Sequence, residues 1–428
     1  MKLGKWIQQK NYLFQIKTNK VRSKTFFGMS LTMSLTISLI LTSCSTRAPL
    51  IEREHKEKNS YFTFYNQQID GFKRKIETSS FFLLRASLNS FLENISSEKH
   101  PQELLNLLPW TVVHGDFHVQ QMAWRNGQSA LDDFDTIDFG PIWIDLVRLE
   151  ASAQLVAKSQ SFHNFSPGAC TKAYAATLLN LSKQKPPQAI GTPYPVDKKP
   201  LSNSLFENQD TWKKASTSVP SIVRQKIQTH ASEKWPSQKI IAIRAMVDGV
   251  GSFNLEKYLL LLEGPNKIQQ LWEYKEQEEN PLQAFKQIKN QTAPVSTLTT
   301  SPSSNTKTCV RFVKGAQLFQ PQTEWDCLSI NEKSFAVIPW SLEYLSPEPE
   351  DFKQVEILND HAQWMCSELA KVHAKSLSET DQKTLSTALS YNTVYTTKIL
   401  RLAQQEAEQA DIGYRLVLNE LRLQNAND

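Results

Sequence analysis

The chain lacks three features, and each absence excludes a class. No internal repeat is visible, so the chain is no solenoid or propeller array. No uninterrupted apolar run reaches the ~20 residues a membrane-spanning helix needs; the nearest, Phe26 to Leu41, is broken by Gly28 and by serines and threonines. No acidic residue occurs before Glu52, whereas Lys2, Lys5, Lys10, Lys17, Lys20, Arg22 and Lys24 all lie in the first 43 positions. Setting those seven positive charges aside turns the formal net charge of +5 into −2. The remaining chain therefore carries no basic footprint for nucleic acid.

What is present at the N-terminus is a basic flank, a short apolar core and small residues, the order of a secretory signal. Leu41-Thr42-Ser43-Cys44 resembles the lipobox of bacterial lipoproteins. That resemblance implies cleavage before Cys44, acylation of its thiol with a diacylglycerol, and a membrane partnership through that lipid. The competing reading is an uncleaved anchor helix; either way the basic flank stays in the cytoplasm and the remainder faces outward. Ser45, rather than Asp, is similar to lipoproteins forwarded to the outer membrane. The expected location is the cell envelope, facing the periplasm.

A hydrophobic content of 40% suits a soluble globule of one large or two medium domains. Residues 44–60 read as a tether, 61–238 as a helical lobe, 239–350 as a sheet lobe and 351–428 as C-terminal helices packing on the helical lobe. Helical spacing is expected at Ile69–Ile76, Phe81–Ile95, Ile142–Ser159, Val219–Glu233, Val355–Ser376 and Thr393–Leu423. Strand chemistry is expected at Trp110–Val113, Ile240–Ile243, Tyr258–Leu262, Gln270–Tyr274, Val310–Val313 and Phe335–Ile338, and a flexible excursion at Thr292–Thr306. Cys309 and Cys327 are spaced to pair in an oxidising compartment. Four unpaired buried thiols, with Cys170 and Cys366, fit the spacing equally.

The most informative stretch is His114-Gly115-Asp116-Phe117-His118-Val119-Gln120-Gln121, followed by Asp132-Asp133-Phe134-Asp135 and by Asp145-Leu146-Val147-Arg148. A carboxylate in a loop after a strand can take a proton from a hydroxyl. An amide five residues on, with a carboxylate beyond the next strand, supplies oxygens for Mg²⁺. Phosphoryl transfer needs that division of labour. Each motif alone is an ordinary turn; order and spacing together are specific.

The stretch resembles the catalytic half of the aminoglycoside-phosphotransferase and protein-kinase-like superfamily. The resemblance implies Asp116 as catalytic base, Gln121, Asp133 and Asp135 as Mg²⁺ ligands, and Asp145 as the helix-start brace of the catalytic loop. His114 and His118 support that loop, and Arg148 makes an intramolecular ion pair. The blocks at Phe81–Ala86, Gly115–His118, Asp133–Leu149, Gly249–Asn254 and Leu369–Ser376 also resemble an uncharacterised bacterial family, domain of unknown function 2252, over about 79–376. Arg85 either holds a phosphate or pairs with Glu93. His373 reads as a packing residue.

Gly249, Gly251 and Ser252 lie between two strand-like runs, and Lys275 follows on a third. A glycine-rich hairpin lets amides approach phosphate oxygens, and a lysine two strands on reaches the same phosphates. Kinases place this lobe before the catalytic loop; here it follows. The expectation is an α+β, two-lobed, kinase-like fold, circularly permuted, with Mg²⁺ and a nucleotide as implied cofactors. Two features oppose turnover: Gln121 stands where the pattern has Asn, and nucleoside triphosphate is scarce outside the cytoplasm. Three readings remain, in this order: an exported, lipid-anchored pseudoenzyme with a phosphate or nucleotide pocket, an active phosphotransferase, and a structural lipoprotein.

Overall fold

The computed structural model describes residues 70–97, 109–125, 128–185, 210–246, 255–277, 304–340, 346–391 and 393–425, with Tyr65 and Leu282. All lie in one compact unit, Tyr61–Asp428. The opening helices are α1 (Asp70–Thr78), α2 (Ser80–Ala86) and α3 (Leu88–Ser97). Ser79 begins α2 by accepting the amide of Phe81 on its hydroxyl, an N-cap that lets the apolar run Phe81–Leu84 enter the core at once. Four short strands follow. β1 (Trp110–Val113) pairs antiparallel with β4 (Asp138–Pro141), and β2 (Met122–Arg125) with β3 (Gln128–Leu131).

The centre of the molecule is α4 (Trp143–Ser159), buried on nearly every face and apolar at Ile144, Leu146, Val147, Leu149, Leu155 and Val156. Such an all-round apolar helix must be enclosed. Enclosure comes from α2, from α5 (Ala169–Ser182), and from the C-terminal helices α9 (Val355–Ala374) and α11 (Thr393–Asn425), with α10 (Glu379–Tyr391) lying between them in the chain. α9 and α10 pack along α5, while α11 returns along α4 and α2. A disulfide joins Cys170 of α5 to Cys366 of α9 with their Cα atoms 5.3 Å apart.

The second half forms a five-stranded antiparallel sheet in the order β5-β6-β7-β9-β8. Its strands are β5 (Lys239–Ala245), β6 (Lys257–Glu263), β7 (Gln269–Gln277), β8 (Asp326–Ile330) and β9 (Lys333–Trp340). In β6 both alternating sets are apolar, so both faces need cover. Tyr258, Leu260 and Leu262 pack with Val223, Ile227 and Ala231 of α7 (Ser221–Lys234). Leu259 and Leu261 pack with Trp212 of the short α6 (Asp210–Lys214). α6 and α7 thus serve the sheet, although the sequence boundary at 238 assigns them to the helical lobe.

Residues 310–313 correct one expectation. They belong to α8 (Ser304–Phe319), which lies between β7 and β8 in the chain. Four residues, Val310-Arg311-Phe312-Val313, are ambiguous alone; the buried set Cys309, Phe312 and Ala316 has the helical period that decides it. Cys309 pairs with Cys327 of β8, Cα to Cα 5.8 Å, tying α8 to the sheet edge. The four thiols are therefore two bridges. Residues 292–303 and the segment 44–60 lie outside the described residues. Among the described residues no helix is long and apolar enough to cross a membrane.

The bridges close loops of very different span, 196 residues for Cys170–Cys366 and 18 for Cys309–Cys327. On the chain-entropy model they contribute about 5 and about 3 kcal/mol respectively. Non-reducing urea denaturation of Cys170→Ala/Cys366→Ala should accordingly show the larger loss of stability, and Cys309→Ala/Cys327→Ala the smaller.

Candidate functional site

β1 delivers His114, Gly115 and Asp116 to a tight loop. Gly115 has φ +87°, and a Cβ there would lie 2.6 Å from the carbonyl oxygen of Thr136, so only glycine fits. The loop amides need acceptors, and Asp145 in the first turn of α4 provides both. Its two carboxylate oxygens accept from the amides of His114 and Gly115, each at 2.8 Å, with no exposure of the aspartate. The His114 ring Nε2 lies 2.8 Å from the Asp132 carbonyl, and Thr136 donates to the His114 carbonyl. The acidic stretch is thereby clasped to the loop.

Asp116 faces inward. Its Oδ1 accepts from Arg148 Nη2 at 2.5 Å. Arg148 has no exposed surface; it also donates to the Leu84 carbonyl and to Glu406 Oε1 of α11, at 3.0 and 3.1 Å. Burial pushes the Glu406 carboxyl up to about 7, against the pull of Arg148 and with help from Asp116. His118 is buried, and its Nδ1 accepts the amide of Gln120 at 3.2 Å. Desolvation, with Arg85 and Arg148 nearby, lowers its pKa well below the ordinary histidine value, so the ring is neutral. Val119 is held by Ser152 and by His361 of α9. His373, read from sequence as a packing residue, links Tyr174 at 2.8 Å to Asp145 at 3.5 Å.

Lys275 of β7 meets the acidic stretch across 142 positions of chain. Its ammonium lies 3.3 Å from Asp133 Oδ1 and bonds Asp135 Oδ2. Both aspartate side chains open onto a cleft, 37% and 27% exposed, yet lie deep among protein atoms. Burial works to raise Asp133, but Lys275 and then Arg85 outweigh it and hold the carboxyl well below the usual range. Asp135 moves the other way: burial and the neighbouring Asp133 charge exceed the effect of Lys275 and raise it. Asp133 also adopts φ +56°, a left-handed conformation unusual for a side-chain-bearing residue.

The cleft has a volume of about 310 Å³, at the small end for ligand pockets. One side presents Arg85, Gln121, Asp133 and Asp135, and the sheet presents Lys257, Glu273 and Lys275. Phe312, Trp325 and Trp340 add apolar surface. Gln121 is buried at 3% exposure, and its amide takes no hydrogen bond from another described residue. Arg85 donates to the Gln120 amide oxygen at 2.8 Å; the side chain of Glu93 lies outside the described residues. Asp116 is not among the lining residues. Gly249, Gly251, Ser252 and Cys44 lie outside the described residues.

Sequence reasoning missed Lys257, Glu273 and Glu406. The strand register that sets Lys257 opposite Lys275 has no local signature. Glu406 looks like one more polar position on a long helix. Its signal is faint: a glutamate within the alanine-rich face, Ala403, Ala407 and Ala410, which is buried.

A family model described as "Phosphotransferase enzyme family" matches residues 81–157. A second, described as "Uncharacterized protein conserved in bacteria (DUF2252)", matches residues 198–419, just over half of the 428-residue chain. The first spans the loop of Asp116, Asp133 and Asp145; the second spans Lys257, Lys275 and Glu406. No curated protein and no solved structure gives a match.

Two outcomes test this geometry. Asp145→Ala leaves two buried amides without an acceptor and should cost about 2–6 kcal/mol in urea denaturation; Asp145→Asn keeps one carbonyl oxygen and should cost less. Glu406 has a folded-state pKa raised from 4.5 to about 7. Its stabilising share is complete below about pH 4.5 and is lost as pH rises through about 7. Wild type should therefore lose up to about 3 kcal/mol more than Glu406→Gln between pH 5 and 8.

Proposed function

The chain belongs to the DUF2252 family of bacterial proteins and carries a phosphotransferase-family segment at 81–157, and from that premise we propose a kinase-like protein whose cleft binds a phosphate-bearing ligand with Mg²⁺. The observation that carries this reading is the meeting of Lys275 with Asp133 and Asp135. Phosphotransferase sites need a cation on the phosphate side and carboxylates on the metal side. Stretches distant in the chain bring both to one cleft.

The donor chemistry fits Mg²⁺. Asp133, Asp135 and the Gln121 amide offer hard oxygens; Lys275 takes Asp133 Oδ1 and Asp135 Oδ2, and the buried Asp135 Oδ1 has no hydrogen-bond partner among the described residues. No cluster of three His, Cys, Asp or Glu suited to a metal occurs among the described residues. Mg²⁺ commonly completes its shell with substrate phosphates and water, so two carboxylates and an amide suffice. When bound, the ion neutralises phosphate charge. Asp133, held ionised, is the chief ligand; Gln121 and Asp135 assist.

Binding without turnover is the better-supported form of this reading. Asp116 gives a carboxylate oxygen to Arg148 and turns toward α11. In protein kinases the third-strand lysine pairs with a glutamate of the following helix; α8 carries no acidic residue. A second reading, active transfer with Asp116 as base, draws on the braced loop and on the 18% exposure Asp116 retains. The sheet's order, with α8 between its third and fourth strands, favours a circularly permuted kinase-like lobe.

We place the protein in the cell envelope, anchored through acylated Cys44 after signal cleavage. Two disulfides support this, because bridges persist in oxidising compartments and are rare in the cytosol.

Mg²⁺ with ATP should raise the unfolding temperature of the mature chain by a few degrees, since a ligand at 100 times its Kd adds about 2.7 kcal/mol. Asp133→Asn should lose the Mg²⁺-dependent part of that shift. Binding with no release of ADP supports the pseudoenzyme; ADP release abolished by Asp116→Asn supports the enzyme. A flat thermal profile under all ligands sinks both.

A further inference from the structure

Lys257 opens β6 and stands directly opposite Lys275 in the β6–β7 register. Like charges directly opposite on one face of a sheet destabilise it. Lys275 has two aspartates to offset the cost. Lys257 has none: its ammonium makes no hydrogen bond or ion pair with any described residue, although the residue is only 8% exposed and lines the cleft. The charges acting on it are Lys275, which repels it, and Glu273, Asp135 and Asp133, which attract it from beyond ion-pair reach. A buried ammonium without a counter-ion is costly to keep.

The opposite wall repeats the pattern. Arg85 gives one guanidinium nitrogen to the neutral amide of Gln120 and pairs with no carboxylate among the described residues. Glu348, the remaining acid near it, is held by Lys75 at 3.2 Å and by Gln120 at 2.6 Å. The cleft therefore contains one lysine already neutralised and one that is not.

We propose that Lys257, and not Lys275, receives the anionic group of the ligand, while Lys275 stays on the aspartate pair and holds the acidic loop to the sheet. The proposal rests on the phosphate-cleft reading and assigns its anion anchor. The chemical class is a phosphoryl anion, with inorganic pyrophosphate as the smallest probe that carries two linked groups. A fixed, unpaired charge that folding alone would disfavour is what a binding site retains at the expense of stability.

The test compares wild type, Lys257→Met, Lys257→Arg and Lys275→Met of the mature chain, by calorimetric titration with pyrophosphate in Mg²⁺ and by thermal unfolding without ligand. Lys257→Met should unfold at the same temperature as wild type or higher, yet bind the probe at least about tenfold more weakly. Lys257→Arg should keep most of the affinity. Lys275→Met should lower the unfolding temperature, because it strands two carboxylates. If wild type itself binds no pyrophosphate, the cleft reading fails and this proposal with it. If wild type binds and Lys257→Met binds equally well, the anchor assignment alone is wrong. Failure of Lys257→Met to fold, or a lower unfolding temperature, makes the lysine structural and also overturns the assignment.

Discussion

A single ammonium between two carboxylates joins the halves of this molecule. Lys275 comes from a sheet built late in the chain, and Asp133 and Asp135 from a loop built early. Isolated, each aspartate would tolerate its exposure; together and half-enclosed, they repel. The lysine relieves that repulsion unequally: it holds Asp133 below the usual carboxylate range, while burial and the Asp133 charge keep Asp135 above it. Remove the ammonium and the acidic loop has a reason to swing away from the sheet. The cleft's shape and its charge are thus one and the same interaction.

A second shared cation works below it. Arg148 is divided between Asp116, the Leu84 carbonyl and Glu406. Three segments far apart in the chain meet on one guanidinium with no water-facing surface, a geometry that suits arginine's fixed fork of donors better than lysine's point charge. The last helix is therefore no appendage. It reaches the residue that the loop's chemistry would depend on.

Local patterns in the sequence were legible where a single element carried its own signal. Apolar spacing in 142–159 foretold α4, and the His114–Asp116 and Asp133–Asp135 stretches foretold the loop that Asp145 braces. What depends on register or on long-range packing was not legible. Nothing near Lys257 says that its strand neighbour will be Lys275, and nothing near Cys170 names Cys366. The run at 310–313 failed for a related reason: three apolar residues in a stretch of four fit either period, and the helix declares itself only over four turns. The seam between lobes was displaced because α7 has too weak an amphipathic signature to announce that its apolar stripe belongs to a sheet not yet begun.

The Cys170–Cys366 bridge has a topological result. Everything from the start of α5 to the middle of α9, the entire sheet included, lies inside one covalent ring. A protease that nicks the chain anywhere in that ring opens it without releasing a fragment. Such a cut leaves a two-chain protein whose pieces stay joined through Cys170 and Cys366.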